Sequence, residues 1–149
     1  MEGYWHREKE TAEALAGGWL HTGDLGYRDS DGFYYIVGRA KEMIISGGFN
    51  VYPKEIEDIL AQHASVKDVA VIGVPDADWG EAVKALVVLH AGASLDAAAL
   101  AALVRERKGA VYTPKSFEEI DAIPMTPVGK PDKKSLRARY WEGQSRAVA

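Results

Sequence analysis

Apolar and polar positions alternate in recognisable periods along most of this chain. Residues 1 to 18 are polar, with a short helix expected from Arg7 to Leu15 and a stop at Gly17-Gly18. Two short apolar runs follow, Leu25-Gly26-Tyr27 and Phe33-Tyr34-Tyr35-Ile36-Val37. Asp29-Ser30-Asp31-Gly32 between them is turn chemistry, so the pair predicts a β-hairpin. From Pro53 to His63 the apolar residues Ile56, Ile59 and Leu60 recur at helical spacing. Pro suits a first helical position, and Glu55, Glu57 and Asp58 lie in the first turns, where the helix dipole favours acids. Val66–Val74 and Glu81–His90 read as strands around a loop, Pro75–Gly80. Ser94 or Asp96 caps an Ala-rich helix that runs to Lys108 and stops at Gly109. A third strand is expected over Lys115–Ile123, and a last helix from Lys133 to Trp141 with Asp132 as its cap.

This order of elements predicts an α+β fold: a small mixed sheet with helices packed on it, preceded by a hairpin appendage. The expected core is Ile56, Ile59, Leu60, Val69, Val71, Leu86, Val88, Leu100, Leu103 and Phe117, all at inward spacing. Trp5 and Trp19 are unusual on so small an N-terminal segment, because large aromatics normally bury much of their area.

Composition narrows the classes. The chain has 149 residues, enough for one domain or one domain with an appendage. A net charge of −4 argues against nucleic acid as the main partner. There is no cysteine, so disulfides and thiolate metal sites are excluded. His6, His21, His63 and His90 are scattered without ligand spacing, and no metal site is expected. No apolar run approaches the roughly 20 residues of a membrane helix. No secretion signal opens the chain, and a cytoplasmic protein is the default.

The chemistry-bearing stretch is Gly38-Arg39-Ala40-Lys41-Glu42-Met43-Ile44-Ile45-Ser46-Gly47-Gly48-Phe49-Asn50-Val51-Tyr52-Pro53. Ser46-Gly47-Gly48 is backbone with almost no side chain, which something could approach closely. A lone Gly-Gly is more often mere turn punctuation. Two other stretches stand with it: Thr22-Gly23-Asp24 upstream, and Met125-Thr126-Pro127-Val128-Gly129-Lys130-Pro131 near the end.

These three ordered motifs resemble those of the adenylate-forming enzymes: acyl-CoA synthetases, peptide-synthetase adenylation domains and luciferases. The resemblance covers nearly the whole chain but not a whole enzyme, since the family's large N-terminal domain is absent. It implies that residues 1–40 are a remnant of that large domain with its linker hairpin, and that 41–149 form the C-terminal lid domain. It would also explain Trp5 and Trp19, as the family packs this segment on the large domain.

The resemblance implies roles residue by residue. Lys130 matches the catalytic lysine, which reaches the carboxylate of the acid and the α-phosphate of ATP. A cation suits that place, because two anions must meet and charge grows on the phosphoryl oxygens. The sequence departs from the commonest pattern, with Ile-Pro-Met-Thr where the family often has Leu-Pro-Lys-Thr. Asp24 matches the residue that holds the ribose hydroxyls of ATP or AMP, a task for a carboxylate that accepts two hydrogen bonds. Arg39 matches an arginine that also approaches the nucleotide; without the resemblance it reads as a surface ion-pair residue. Lys41 matches the hinge. Ser46, Gly47 and Gly48 match the loop that lines the pantetheine tunnel of CoA, and Gly73 is either a similar opening or a strand-end turn. Trp79 matches an aromatic that lies against the CoA adenine, or else packs on its own sheet. Lys115 could meet the CoA phosphates, as could Arg105 or Lys108.

The implied enzyme is an AMP-forming acid–CoA ligase that activates a carboxylic acid, of the fatty-acid class, with ATP and passes the acyl group to CoA. Mg²⁺ would accompany ATP, with ligands outside this chain. Met1 begins inside a family motif, Gly3-Tyr4-Trp5, which suggests an excised fragment or a split gene that is inactive alone. The alternatives are the lid of an adenylation unit that loads a carrier-protein phosphopantetheine, or a free-standing binding module without chemistry. The end of the chain at Ala149, with no carrier domain following, favours CoA.

Overall fold

The computed structural model describes residues 1–143. The chain divides into two compact units, Met1–Ala40 and Lys41–Ala149.

The first unit carries helix α1 (Glu8–Ala14), one turn of 3-10 helix (Ala16–Gly18) and an antiparallel hairpin of β1 (Asp24–Arg28) and β2 (Tyr34–Arg39). The hairpin loop is the expected one. Asp29 organises it by accepting the backbone N–H groups of Asp31 (3.0 Å) and Phe33 (2.9 Å) on Oδ1. Tyr27 and Tyr35 stack across the strands at 5.1 Å between centroids. No residue of this unit is buried within it. Trp5 is 87% exposed and Trp19 78%.

The second unit is built on the hairpin of β5 (Val66–Asp76) and β6 (Gly80–Leu89), paired from Val66↔Leu89 to Asp76↔Gly80. The strands run further than the sequence indicates, so Pro75 and Asp76 belong to β5 and the loop shrinks to residues 77–79. A second, very short hairpin, β3 (Ile44–Ser46) and β4 (Phe49–Val51), joins the edge of β6 through Ser46↔Gly80. Strand β7 (Ser116–Glu119) lies parallel to β6 and makes the sheet mixed; it is shorter than the expected Lys115–Ile123.

Helices α2 (Pro53–Leu60) and α3 (Ala97–Lys108) start as expected. Asp96 caps α3 by accepting the Ala99 N–H at 2.9 Å. Gly109 stops it with φ 84° and ψ 178°, a backbone shape open essentially to glycine. Helix α4 (Lys133–Ala138) is capped by Asp132 but ends before Trp141.

The expected single core is instead two. Ile56, Ile59, Leu60, Leu100 and Val104 of α2 and α3 pack with Ile44, Val51, Val71, Val83, Ala85 and Val87 on one face of the sheet. Ala70, Ile72, Leu86 and Val88 pack on the other with Ile123 and Leu136. Successive strand residues point to opposite faces, and β5 and β6 are covered on both. Leu86 and Val88 therefore leave the predicted core, while Val69, Leu103 and Phe117 flank it half-buried. Among the described residues no helix is long and apolar enough to cross a membrane.

Candidate functional site

The turn Gly47-Gly48 joins Ser46 and Phe49, which pair directly, so it is a two-residue hairpin loop. Both glycines have positive φ, 58° and 83°, the requirement of the turn whose twist matches its flanking strands. The Gly47 N–H donates to the Trp79 carbonyl at 2.9 Å. The Trp79 ring lies on Gly47 so closely that a Cβ there would overlap its Cε3 atom. Around Gly48 a Cβ would meet nothing within 4 Å. One glycine is required by contact, and the other faces open space.

Trp79 is held from its own loop. Asp76 Oδ1 accepts the backbone N–H groups of Asp78 (3.1 Å) and Trp79 (3.0 Å). Lys115 Nζ sits 3.3 Å from Asp76 Oδ2 and 4.4 Å from the Trp79 ring centroid, a cation–π arrangement. Burial pushes the Asp76 carboxyl up, but those two N–H donors and Lys115 outweigh it and hold it below its ordinary value. Ser46, Trp79, Val83, Val111, Thr113 and Lys115 line a mainly apolar cleft of about 210 Å³. The structure thus brings Ser46, Gly47, Trp79 and Lys115 together, with Gly48 at the rim of the turn.

Gly73 does not join them as open space. A Cβ at Gly73 would overlap the carboxylate of Glu81, which fills that place, and the Gly73 carbonyl accepts Trp141 Nε1–H at 2.9 Å. Glu81 is only 2% exposed, and the sequence reading passed over it. The available signal was Gly73 itself, since a glycine inside an apolar strand marks a close approach.

Lys130 stands on a small closed loop. The Thr126 N–H donates to the Lys130 carbonyl (2.7 Å), and the Gly129 N–H to the Thr126 carbonyl (2.9 Å). Thr126 Oγ1 accepts the Lys130 N–H at 3.1 Å, and Gly129 takes φ 74° to close the turn. Met125 and Pro131 bridge at the neck. The backbone is therefore fixed while the Lys130 side chain is exposed.

In the first unit, Asp24 and Arg39 face each other across the hairpin, and Arg39 Nε lies 2.9 Å from Asp24 Oδ1. Lys41 follows in a 3-10 turn, Ala40–Glu42, at the boundary between the units. Among the described residues no group of three or more His, Asp or Glu side chains could hold a metal ion.

Comparison with known proteins gives this geometry a context. Residues 55–130 match the family described as AMP-binding enzyme C-terminal domain. The chain is 53% identical to the medium/long-chain-fatty-acid–CoA ligase FadD8 of Mycobacterium tuberculosis, with 98% of this chain and 27% of the relative aligned. It is 48% identical to a long-chain-fatty-acid–CoA ligase of Bacillus subtilis, over 97% of this chain and 25% of that protein. Among solved structures, the amide bond synthetase McbA of Marinactinospora thermotolerans is similar with a TM-score of 0.86 and 45% identity, over 94% of this chain and 29% of that one. The chain spans about a quarter of the length of these curated relatives. It belongs to the AMP-binding enzyme C-terminal domain family.

Proposed function

We propose that residues 41–149 are the lid domain of an AMP-forming acid–CoA ligase and that residues 1–40 are the last piece of its large N-terminal domain with the linker. The likeness to fatty-acid–CoA ligases supports a carboxylic acid of that class as substrate. In this reading acid and ATP give an acyl-adenylate and pyrophosphate, and the CoA thiol then displaces AMP. The acid pocket lies on the large domain. Any Mg²⁺ ligands would lie there too. The enzyme works in the cytoplasm.

The observation that carries the reading is the exposed Lys130 on its internally hydrogen-bonded loop. A compact cation on a flexible stem, projecting from a fixed backbone, suits delivery to the carboxylate and the α-phosphate. Asp24 and Arg39 serve the nucleotide: the carboxylate accepts from the ribose diol, and Arg39 lies beside it. The lid then turns about Lys41, a position that absorbs a backbone change without being small. The turn presents Ser46, Gly47 and Gly48 to the second step, where a thin thiol arm passes the side-chain-free backbone. Gly73 stays outside this lining, since Glu81 fills its Cβ place and Trp141 takes its carbonyl. Trp79 and Lys115 meet the nucleotide end of CoA with a ring and a charge.

The open Gly48 turn would equally pass the phosphopantetheine arm of a carrier protein, which is the second reading. CoA is favoured because the Trp79–Lys115 pair suits a purine and phosphates. Assaying both acceptors separates the two.

The deciding experiment uses the whole enzyme. Lys130→Ala should slow pyrophosphate exchange by about 10²–10³-fold, the scale for losing a preorganised charge. Thioester formation from supplied acyl-adenylate should persist. An equal fall in both half-reactions would make Lys130 structural. No turnover of any carboxylic acid by the wild-type enzyme would leave a binding module without chemistry.

A further inference from the structure

Lys133 occupies a place that its type does not favour. It opens α4, where the helix dipole disfavours a cation, and its side chain is only 10% exposed. Two carboxylates hold it there. Nζ lies 2.7 Å from Glu57 Oε1 on α2 and 3.2 Å from Glu42 Oε2 in the turn Ala40–Glu42. Glu57 Oε1 also accepts the Val71 N–H of β5 at 2.7 Å. A continuous chain of polar contacts thus runs from the edge strand β5 through α2 and α4 to the turn. One helical turn along, on the same face of α4, Arg137 Nη1 donates to the Lys41 carbonyl at 3.4 Å. Helix α4 grips both Lys41 and Glu42, and three residues upstream of Lys133 is Lys130.

We propose that Lys133 is a positioning residue for adenylate formation: with Glu42 and Glu57 it fastens the hinge turn to the helix that carries the Lys130 loop. This inference rests on the roles proposed for Lys130 and Lys41. Because Arg137 holds the Lys41 carbonyl and Lys133 holds Glu42, the peptide after Lys41 moves with the lid. Bending is confined to the bonds at the Lys41 α-carbon and upstream. Lys130 is then carried at a fixed offset from the pivot. The Gly47-Gly48 turn is tied to Trp79 and β6 instead, so its placement does not depend on Lys133.

The two half-reactions of the whole enzyme test this. Lys133→Met removes both of its ion pairs and leaves only the Arg137–Lys41 contact. Glu42→Ala removes only the hinge contact and leaves Lys133 on Glu57, so it decides the matter even where Lys133→Met fails to fold. Each should lower the maximal rate of pyrophosphate exchange by about 10–100-fold, the scale for displacing a reacting group by about 1 Å. KM for ATP and thioester formation from supplied acyl-adenylate should stay within about threefold. Lys133→Arg, which can still reach both carboxylates, should retain exchange within about threefold of wild type. Undiminished exchange in Glu42→Ala overturns the proposal. So does a parallel loss of both half-reactions that tracks melting temperature. Lys130→Ala, run alongside, separates the levels: if it abolishes exchange while Glu42→Ala does not, only the positioning role fails. If Lys130→Ala itself leaves exchange intact, both readings fail.

Discussion

The indole of Trp79 rests on the backbone of Gly47, and the Trp79 carbonyl accepts the Gly47 N–H at 2.9 Å. Main chain and side chain of one residue therefore hold a two-glycine turn from the neighbouring hairpin. The two glycines look alike in sequence but carry different constraints: a positive φ at both, and a steric limit at Gly47 alone.

Gly48→Ala should cost about 1–2 kcal/mol of stability, the price of a left-handed backbone at a residue with a Cβ. Gly47→Ala should cost more, about 2–4 kcal/mol, because the methyl also displaces Trp79. Urea denaturation of both variants, with the Trp79 indole N–H resonance as local reporter, checks this. Equal losses, or an unmoved indole in Gly47→Ala, would show that the ring does not constrain the turn.

The pH response should have two limbs. Tyr140 Oη donates to Glu118 Oε2 at 2.6 Å, and Lys84 Nζ lies 3.0 Å from the same oxygen. The Tyr140 hydrogen bond, then Lys84, hold the Glu118 carboxyl below its ordinary value against the opposing effect of burial. Its contribution is present above the unfolded carboxylate value of about 4.3 and is lost as pH falls through the lower folded value. The Tyr140 phenol is pushed up to about 12, first by burial and then by its bond to Glu118. That contribution is intact below the unfolded value of about 10 and is lost as pH rises from there towards 12. In urea midpoints measured from pH 3 to 11.5, Tyr140→Phe should flatten the alkaline fall and soften the acid one. An unchanged alkaline limb would remove this pair from the account.

The sheet separates two cores, and the separation is measurable. Leu86→Ala empties one face and Leu100→Ala the other, each costing about 2–5 kcal/mol. The double variant should add within about 0.5 kcal/mol, as expected for sites without shared partners. Coupling above about 1 kcal/mol in a denaturant double-mutant cycle would mean that the sheet transmits strain between them.

Legibility from sequence tracked how local each signal is. Asp29, Asp96, Asp132, Pro53 and Gly109 mark their elements correctly because caps and turns act over three or four residues. The hairpin at Gly47-Gly48 was not legible as two strands because three-residue strands leave no period to detect. The two cores were merged because Val69–Val74 and Ala82–Leu89 are apolar at nearly every position, and a run buried on both faces carries no alternation. Of the site, the glycine pair, Trp79, Lys115 and Lys130 were named from motifs, but their grouping was not legible. Trp79 and Gly47 are brought together by the long-range register Ser46↔Gly80. Glu81 and Lys133 escaped because a charged residue in sequence looks like surface, and only long-range packing shows otherwise.

The 149-residue chain expressed alone should bind nucleotides weakly, and the structure says where the competition lies. Asp24 is already engaged by Arg39 at 2.9 Å, so a ribose diol must displace a bound cation, and no buried surface in the first unit adds affinity. ATP should bind with a dissociation constant of about 1 mM or weaker, near 4 kcal/mol. CoA should bind somewhat better, through Trp79 and Lys115, but Lys115 is partly neutralised by Asp76 at 3.3 Å. Asp76→Asn keeps an oxygen for the Asp78 and Trp79 N–H groups while removing the charge. It should tighten CoA binding by about two- to fivefold, the scale of one exposed ion pair, and Lys115→Ala should weaken it by a similar factor. Calorimetric titrations of ATP and CoA into the three proteins make the comparison. Opposite shifts for the two variants, with ATP unaffected, are the expected result. Micromolar ATP affinity in the wild-type chain, or identical CoA affinity in all three, would show that neither pair governs nucleotide binding.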